Sequence, residues 1–197
     1  MKEVFYEESA HIQNEKSASV KYYVFKTLSI IFFVMAGFYV FIFFNFTPID
    51  ETFTQNLLLN IIFIIVPLAL LIVSGIVFWR FKNKFYVDFD YTFVTGSIRI
   101  SQVIKNFKRK LVYNFETSAI EKMGKYGSDT YNQYDKMPGI KKKFLTLNYT
   151  ADEGKDFYYL VVNIDETKNL LVLECTELFM ATVLKFSNKT ILEKDFK

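Results

Sequence analysis

Leu28-Ser-Ile-Ile-Phe-Phe-Val-Met-Ala-Gly-Phe-Tyr-Val-Phe-Ile-Phe-Phe44 is the stretch on which the fold turns. It lies inside a run from Thr27 to Ile49 that carries no charge. A second uncharged run extends from Thr52 to Trp79, with Leu57 to Phe78 nearly all aliphatic or aromatic. A helix needs about 20 apolar residues to cross roughly 30 Å of hydrocarbon, and both runs are long enough. Neither has a polar side to offer water, so neither suits the surface of a soluble domain. A cleaved leader is a poorer reading of the first run. The run starts late, after charged residues of both signs, and it is longer than the apolar part of a signal peptide.

Between the runs lies Thr47-Pro-Ile-Asp-Glu-Thr-Phe-Thr-Gln-Asn56. Pro48 stops the first helix by removing a backbone donor, and so short a connection implies an antiparallel helical hairpin. Asp50 and Glu51 are its only charges, whereas Lys16, Lys21 and Lys26 precede the first run and Arg80, Lys82 and Lys84 follow the second. Positive charge stays on the cytoplasmic side, so both termini are expected there and the acidic connection outside. Tyr22 and Tyr23 before the first run and Trp79 after the second suit the aromatic belt at the membrane interface. Pro67, in the middle of the second run, is expected to free a carbonyl that a neighbouring group must satisfy. Asn60 reads either as an interhelical hydrogen-bonding group or as a residue near the outer interface. With no ionisable residue inside either run, nothing marks an ion path.

Beyond Lys84 continuous apolarity gives way to alternation. Phe85, Val87, Phe89, Tyr91 and Phe93 share one side of a period-2 segment, and Asp88, Asp90 and Thr92 share the other, expected to be a wet outer face. Thr95-Gly96-Ser97 reads as a tight turn into a return strand with Ile98 and Ile100, and Lys105-Asn106 marks the next turn. Leu111, Tyr113 and Phe115 alternate in a third strand. Thr117 to Met123 has no clear type, and Gly124 to Gly139 reads as a long loop. Three further strands are expected at Phe144–Tyr149, Phe157–Ile164 and Leu170–Cys175. Phe179, Val183 and Phe186 then recur at helical spacing behind Thr176, a plausible N-cap, with Ser187-Asn188 ending the helix. The expected fold is therefore a membrane α-helical hairpin plus a mainly-β domain of six to seven antiparallel strands closed by a C-terminal helix. The expected division is a cytoplasmic N-terminal segment, 1–26, the two-helix hairpin, 27–79, and a cytoplasmic β domain, 80–197.

Val87-Asp-Phe-Asp-Tyr-Thr-Phe-Val-Thr-Gly-Ser-Ile-Arg-Ile100, the basic turn Lys105-Asn-Phe-Lys-Arg-Lys110, the strand Phe157-Tyr-Tyr-Leu-Val-Val-Asn163 and the final helix together carry a resemblance. The chain resembles two-span membrane proteins of Gram-positive bacteria in which a membrane hairpin is joined to a bacterial pleckstrin-homology-like (PH-like) domain. The resemblance implies a fold and a cellular address, and it brings no catalytic residues with it.

The chemistry-bearing residues are few. With one cysteine, Cys175, and one histidine, His11, neither an internal disulfide nor a His/Cys metal centre is expected. Cys175 closes an apolar strand and is expected in the core. His11 is expected to be exposed, without a Ser or Asp partner. No Gly-rich phosphate loop is present, and no catalytic, cofactor or metal site is expected. Net charge is +3, too small to imply nucleic acid as a partner. The sequons at Asn148 and Asn188 would face the cytoplasm and carry little meaning. Two basic clusters remain. Lys105, Lys108, Arg109 and Lys110 at a strand turn, with Arg80, Lys82 and Lys84 beside the second run, are candidates for contact with anionic lipid headgroups; Lys141, Lys142 and Lys143 form the other cluster. Each also reads as a solvated turn. Two functional readings follow. The first is a membrane-anchored, non-enzymatic interaction module with a Tyr-rich loop (123–138) free to meet a partner. The second is a small accessory subunit of a transporter or channel, bound to another membrane protein through the hairpin.

Overall fold

The computed structural model describes residues 4–46, 57–105, 107–187 and 191–192. Pro48, Asp50, Glu51, Asn106 and the Asn188 sequon lie outside them. The elements in chain order are β1 (Phe5–Ala10), α1 (Glu15–Phe46), α2 (Leu57–Phe81), β2 (Val87–Val94), β3 (Ser97–Ile104), β4 (Lys108–Glu116), β5 (Ile120–Lys125), α3 (Asp129–Asp135), β6 (Lys141–Phe144), β7 (Asp156–Ile164), β8 (Thr167–Cys175) and α4 (Glu177–Phe186). They form two compact units. One is residues 14–86, and the other joins residues 1–13 to residues 87–197.

In the unit of residues 14–86, α1 and α2 are long and apolar enough to cross a membrane. Only 11% and 6% of their most apolar stretches are buried. A core helix of a soluble protein would be mostly buried. α1 begins at Glu15, well before Thr27, with the Asn14 side chain accepting from the Ser17 N–H at 3.0 Å. Its first turns therefore carry Lys16, Lys21 and Lys26.

Pro67 cannot donate to the carbonyl of Phe63, four residues back. Tyr39 of α1 takes its place, its hydroxyl donating to the Phe63 carbonyl at 3.0 Å. Ser29, fully buried, donates to the Gly75 carbonyl at 2.7 Å. Gly75 has the Phe33 ring against it, at 2.9 Å from where a Cβ would stand, so only hydrogen fits there without a shift. Phe25 stacks on Phe85 at 4.8 Å and 14°.

The other unit is built on two sheets. The first has the order β1-β2-β3-β4 and the second β5-β7-β8-β6. Tyr91, Phe93, Ile98, Ile100, Leu160, Leu171, Leu173, Phe179 and Val183 fill the core between them. α4 closes it as its spacing implies, with Thr176 accepting from the Phe179 N–H at 3.3 Å. Thr95 and Gly96 take φ of 41° and 90°, the two left-handed positions of a two-residue turn between paired Val94 and Ser97.

Several expectations change. Residues 1–26 are not a separate segment, because β1 pairs antiparallel with β2 from Phe5↔Val94 to Ala10↔Phe89. The hairpin is thus inserted between the first two strands of one sheet. Eight strands are present among the described residues, and β6 runs parallel to β8. The strand expected at Phe144–Tyr149 is displaced to Lys141–Phe144, and β8 starts at Thr167 because Asp165 and Glu166, at φ of 47° and 61°, make the whole turn. The stretch without clear type contains β5, whose alternation is hidden by a register shift between Ile120 and Lys122.

The expected loop 124–139 holds the end of β5 and α3, which Ser128 caps by accepting from the Tyr131 N–H at 3.1 Å. Tyr131 and Tyr134 of α3 pack with Tyr159, Val161, Leu170 and Val172 on the outer side of the second sheet. That sheet is covered on both faces, which is why β7 and β8 read as continuous apolar runs. It also means that the Tyr-rich segment is not a free recognition loop.

Candidate functional site

The β3–β4 hairpin carries the first basic cluster. By strand alternation, the row of Ile98 and Ile100 continues through Gln102 and Ile104, whose partners on β4 are Lys110 and Lys108. Cations stand where the apolar row ends. Lys108 and Lys110 are exposed, and among the described residues neither forms an ion pair. Between Lys105, at φ 49°, and Lys108 stands Phe107, 87% exposed. A register shift at Ile100/Ser101 pairs Ser101 with Leu111, turning Leu111 away from the row of Tyr113 and Phe115. Leu111 is 55% exposed instead of buried with them. The hairpin therefore presents two lysines and two large apolar side chains to its surroundings.

Arg109 does not join them. Its Nη2 lies 3.1 Å from Asp90 Oδ2, and its Nη1 is 4.0 Å from Glu7 Oε1. Arg80, Lys82 and Lys84 belong to the other unit. Arg80 is exposed, Lys84 lies over the Phe81 ring at 4.4 Å, and Lys82 is buried with its Nζ 2.9 Å from the Trp79 ring centre.

A protein-family model described as bacterial PH-like domain (DUF6106) matches residues 2–193. The chain belongs to this bacterial PH-like family. No curated protein and no solved structure matches it. The family match covers the hairpin and both parts of the interrupted β unit. In this PH-like protein the fold therefore includes the N-terminal strand and tolerates a long insertion after it.

PH-like domains are generally non-catalytic, and the polar groups inside this one are engaged in holding it together. Asp88 and Asp90 are buried, not on a wet face. Ser9 donates to Asp90 Oδ1 at 2.7 Å, and the Ile12 N–H donates to Asp88 Oδ1 at 2.8 Å. His11, itself exposed, holds its Nδ1 3.6 Å from Asp88 Oδ2. The segment that the sequence places far from these carboxylates is what covers and partners them.

Glu174, fully buried on β8, accepts from Thr146 Oγ1 at 2.6 Å, Asn148 Nδ2 at 2.8 Å and the Asp152 N–H at 2.9 Å. Asn148 in turn donates to the His11 carbonyl and accepts from the Gln13 N–H. Burial pushes the Cys175 thiol well above its usual range, which leaves it a poor nucleophile. Among the described residues no cluster of three His, Cys, Asp or Glu side chains is arranged to hold a metal.

The sequence reading missed Phe107 and the partners of Asp88 and Asp90. Phe107 was legible as an aromatic inside a basic turn. The Ser9, His11 and Ile12 partners were not, since the inserted helices separate them from Asp88 and Asp90 along the chain.

Proposed function

We propose that this chain is a membrane-anchored, non-enzymatic interaction module, and that its β3–β4 hairpin contacts anionic headgroups of the inner leaflet. The observation that carries the reading is the exposed Phe107 beside Lys108 and Lys110, which form no ion pair among the described residues. An aromatic that dips into the headgroup layer and lysines that stay at its surface are complementary parts of an interfacial contact.

The anchoring half of the reading is supported by the two exposed apolar helices and by the flanking Lys and Arg. The β1–β2 pairing adds support, because the chain leaves the sheet after β1 and rejoins it at β2, so a double crossing must return it to its starting side. Both termini would then be cytoplasmic. The accessory-subunit reading rested on packing features of the hairpin. Tyr39 of the same chain already satisfies the carbonyl that Pro67 frees, so the helix break calls for no partner.

The test is Phe107→Trp in the full-length protein reconstituted in nanodiscs of phosphatidylcholine, with and without phosphatidylglycerol. The parent, whose one tryptophan is Trp79, supplies the background emission to subtract. Emission from the introduced indole should shift to the blue and be quenched by brominated lipid when the anionic lipid is present. Lys108→Glu with Lys110→Glu should abolish the difference, since each lysine contributes about 1 kcal/mol at such a surface. Identical emission in both bilayers would refute headgroup contact.

A further inference from the structure

We infer that the open edge of β6 is a docking site for an extended segment of alternating acidic and apolar residues, which would add a strand to the second sheet. The inference goes beyond the headgroup contact and does not depend on it.

β6 stands at the end of the β5-β7-β8-β6 order, so among the described residues its outer edge has no strand beside it. The Leu145 N–H donates to the Val172 carbonyl at 2.8 Å, which fixes the direction of the neighbouring backbone groups. By strand alternation, the N–H and C=O of Lys142 and Phe144 point away from β8 and are available to an incoming strand. All four residues of β6 are exposed.

The side chains choose the occupant. Lys142 pairs with Asp135 of α3 at 2.8 Å, which puts Lys142 and, two residues on, Phe144 on the α3 side of the sheet. There Phe144 borders a groove of about 390 Å³ lined by Tyr126, Leu147, Tyr149 and Phe157. Lys141 and Lys143 point to the opposite side and, among the described residues, form no ion pair. An added strand would thus meet two cations on one side and an aromatic groove on the other. Acidic residues at every second position and apolar residues between them match that surface. A second copy of this chain does not fit, because β6 against β6 would oppose lysines to lysines.

The test uses the full-length protein in zwitterionic nanodiscs, where no anionic lipid is present. The probe is a fluorescein-labelled, capped peptide Glu-Val-Glu-Phe-Glu-Val-Glu, compared with its Lys-for-Glu counterpart by fluorescence anisotropy. The acidic peptide should bind at least about tenfold tighter, and Lys141→Glu with Lys143→Glu should reverse that preference. Lys142→Pro removes one outward N–H while leaving the ladder to β8 intact, and should weaken binding about tenfold. Lys142→Ala, which loses the Asp135 pair but keeps the N–H, should bind like the parent.

Protection of buried Cys175 from alkylation verifies that each variant is folded. Binding of both peptides within twofold of each other, no binding of the acidic peptide, or full affinity in a folded Lys142→Pro variant would each overturn the inference. The lysines would then serve only to guard an edge against aggregation. Loss of the lipid-dependent emission in the Phe107→Trp protein alone would leave this result untouched.

Discussion

Glu8 lies on the core side of β1, where Oε1 accepts from the Thr176 N–H at 2.9 Å and Oε2 from the Thr176 hydroxyl at 3.0 Å. It fastens the N-terminal strand to the cap of the last helix. Burial raises its pKa above the ordinary 4.5, and the bonds from Thr176 only partly offset this. The folded state therefore binds this proton more tightly than the unfolded chain does. The stability it contributes is fully present below pH 4.5 and is lost as pH rises through the raised value. Glu8→Gln keeps an acceptor for the Thr176 N–H and removes the titration. Thermal melts taken from about pH 4 to about pH 8 should fall less steeply for the variant than for the parent. Parallel pH profiles would show that Glu8 does not carry this term.

At the scale of elements, the α1–α2 pair is held by a few specific bonds among many non-specific apolar contacts. Tyr39→Phe leaves the Phe63 carbonyl without its donor and should weaken the helix pair by about 1 kcal/mol. In a Pro67→Ala background the restored N–H can reclaim that carbonyl, so the same change should then cost less. Reversible unfolding in mixed micelles, read as a double-mutant cycle, gives the coupling energy. A coupling near zero would mean that the Tyr39 bond is incidental.

The β elements teach a related lesson about legibility. β2 and the start of β3 are plain in the sequence because their alternation is unbroken. β5 and the Leu111 end of β4 are obscured by register shifts that move one residue out of phase. α3 was missed because its signals, a Ser128 cap and Tyr131 and Tyr134 three apart, sit among turn-forming residues.

For the whole molecule, the decisive feature is that the β domain is interrupted after its first strand. A chain beginning at Val87 lacks Ser9 and the Ile12 N–H, leaving Asp88 and Asp90 without those donors, and it lacks the Glu8 tie to α4. It should fail to give a folded domain. Replacing residues 14–86 by about four Gly and Ser residues, so that β1 and β2 become a simple hairpin, should give a soluble, cooperatively melting domain. Alkylation of Cys175 reads the difference. The thiol, buried in the parent, should be protected in the spliced protein and reactive in the truncated one. Equal protection in both would show that β1 is dispensable.

The sequence by itself determined the features that depend on neighbours along the chain. The two long helices follow from uncharged, uniformly apolar runs long enough to cross a membrane. β2, β3 and α4 follow from periodicity within a few residues, β7 and β8 from short apolar runs between turns, and the Thr176 cap from its place before Phe179. Only the tertiary structure decided what depends on distant partners. It put β1 into the sheet across the inserted helices, buried Asp88 and Asp90 under residues 9–12, and folded α3 over the outer face of the second sheet. It also aligned β6 parallel to β8 and left its other edge open. Periodicity tells which side of a strand seeks cover, but the group that provides it is set by long-range packing.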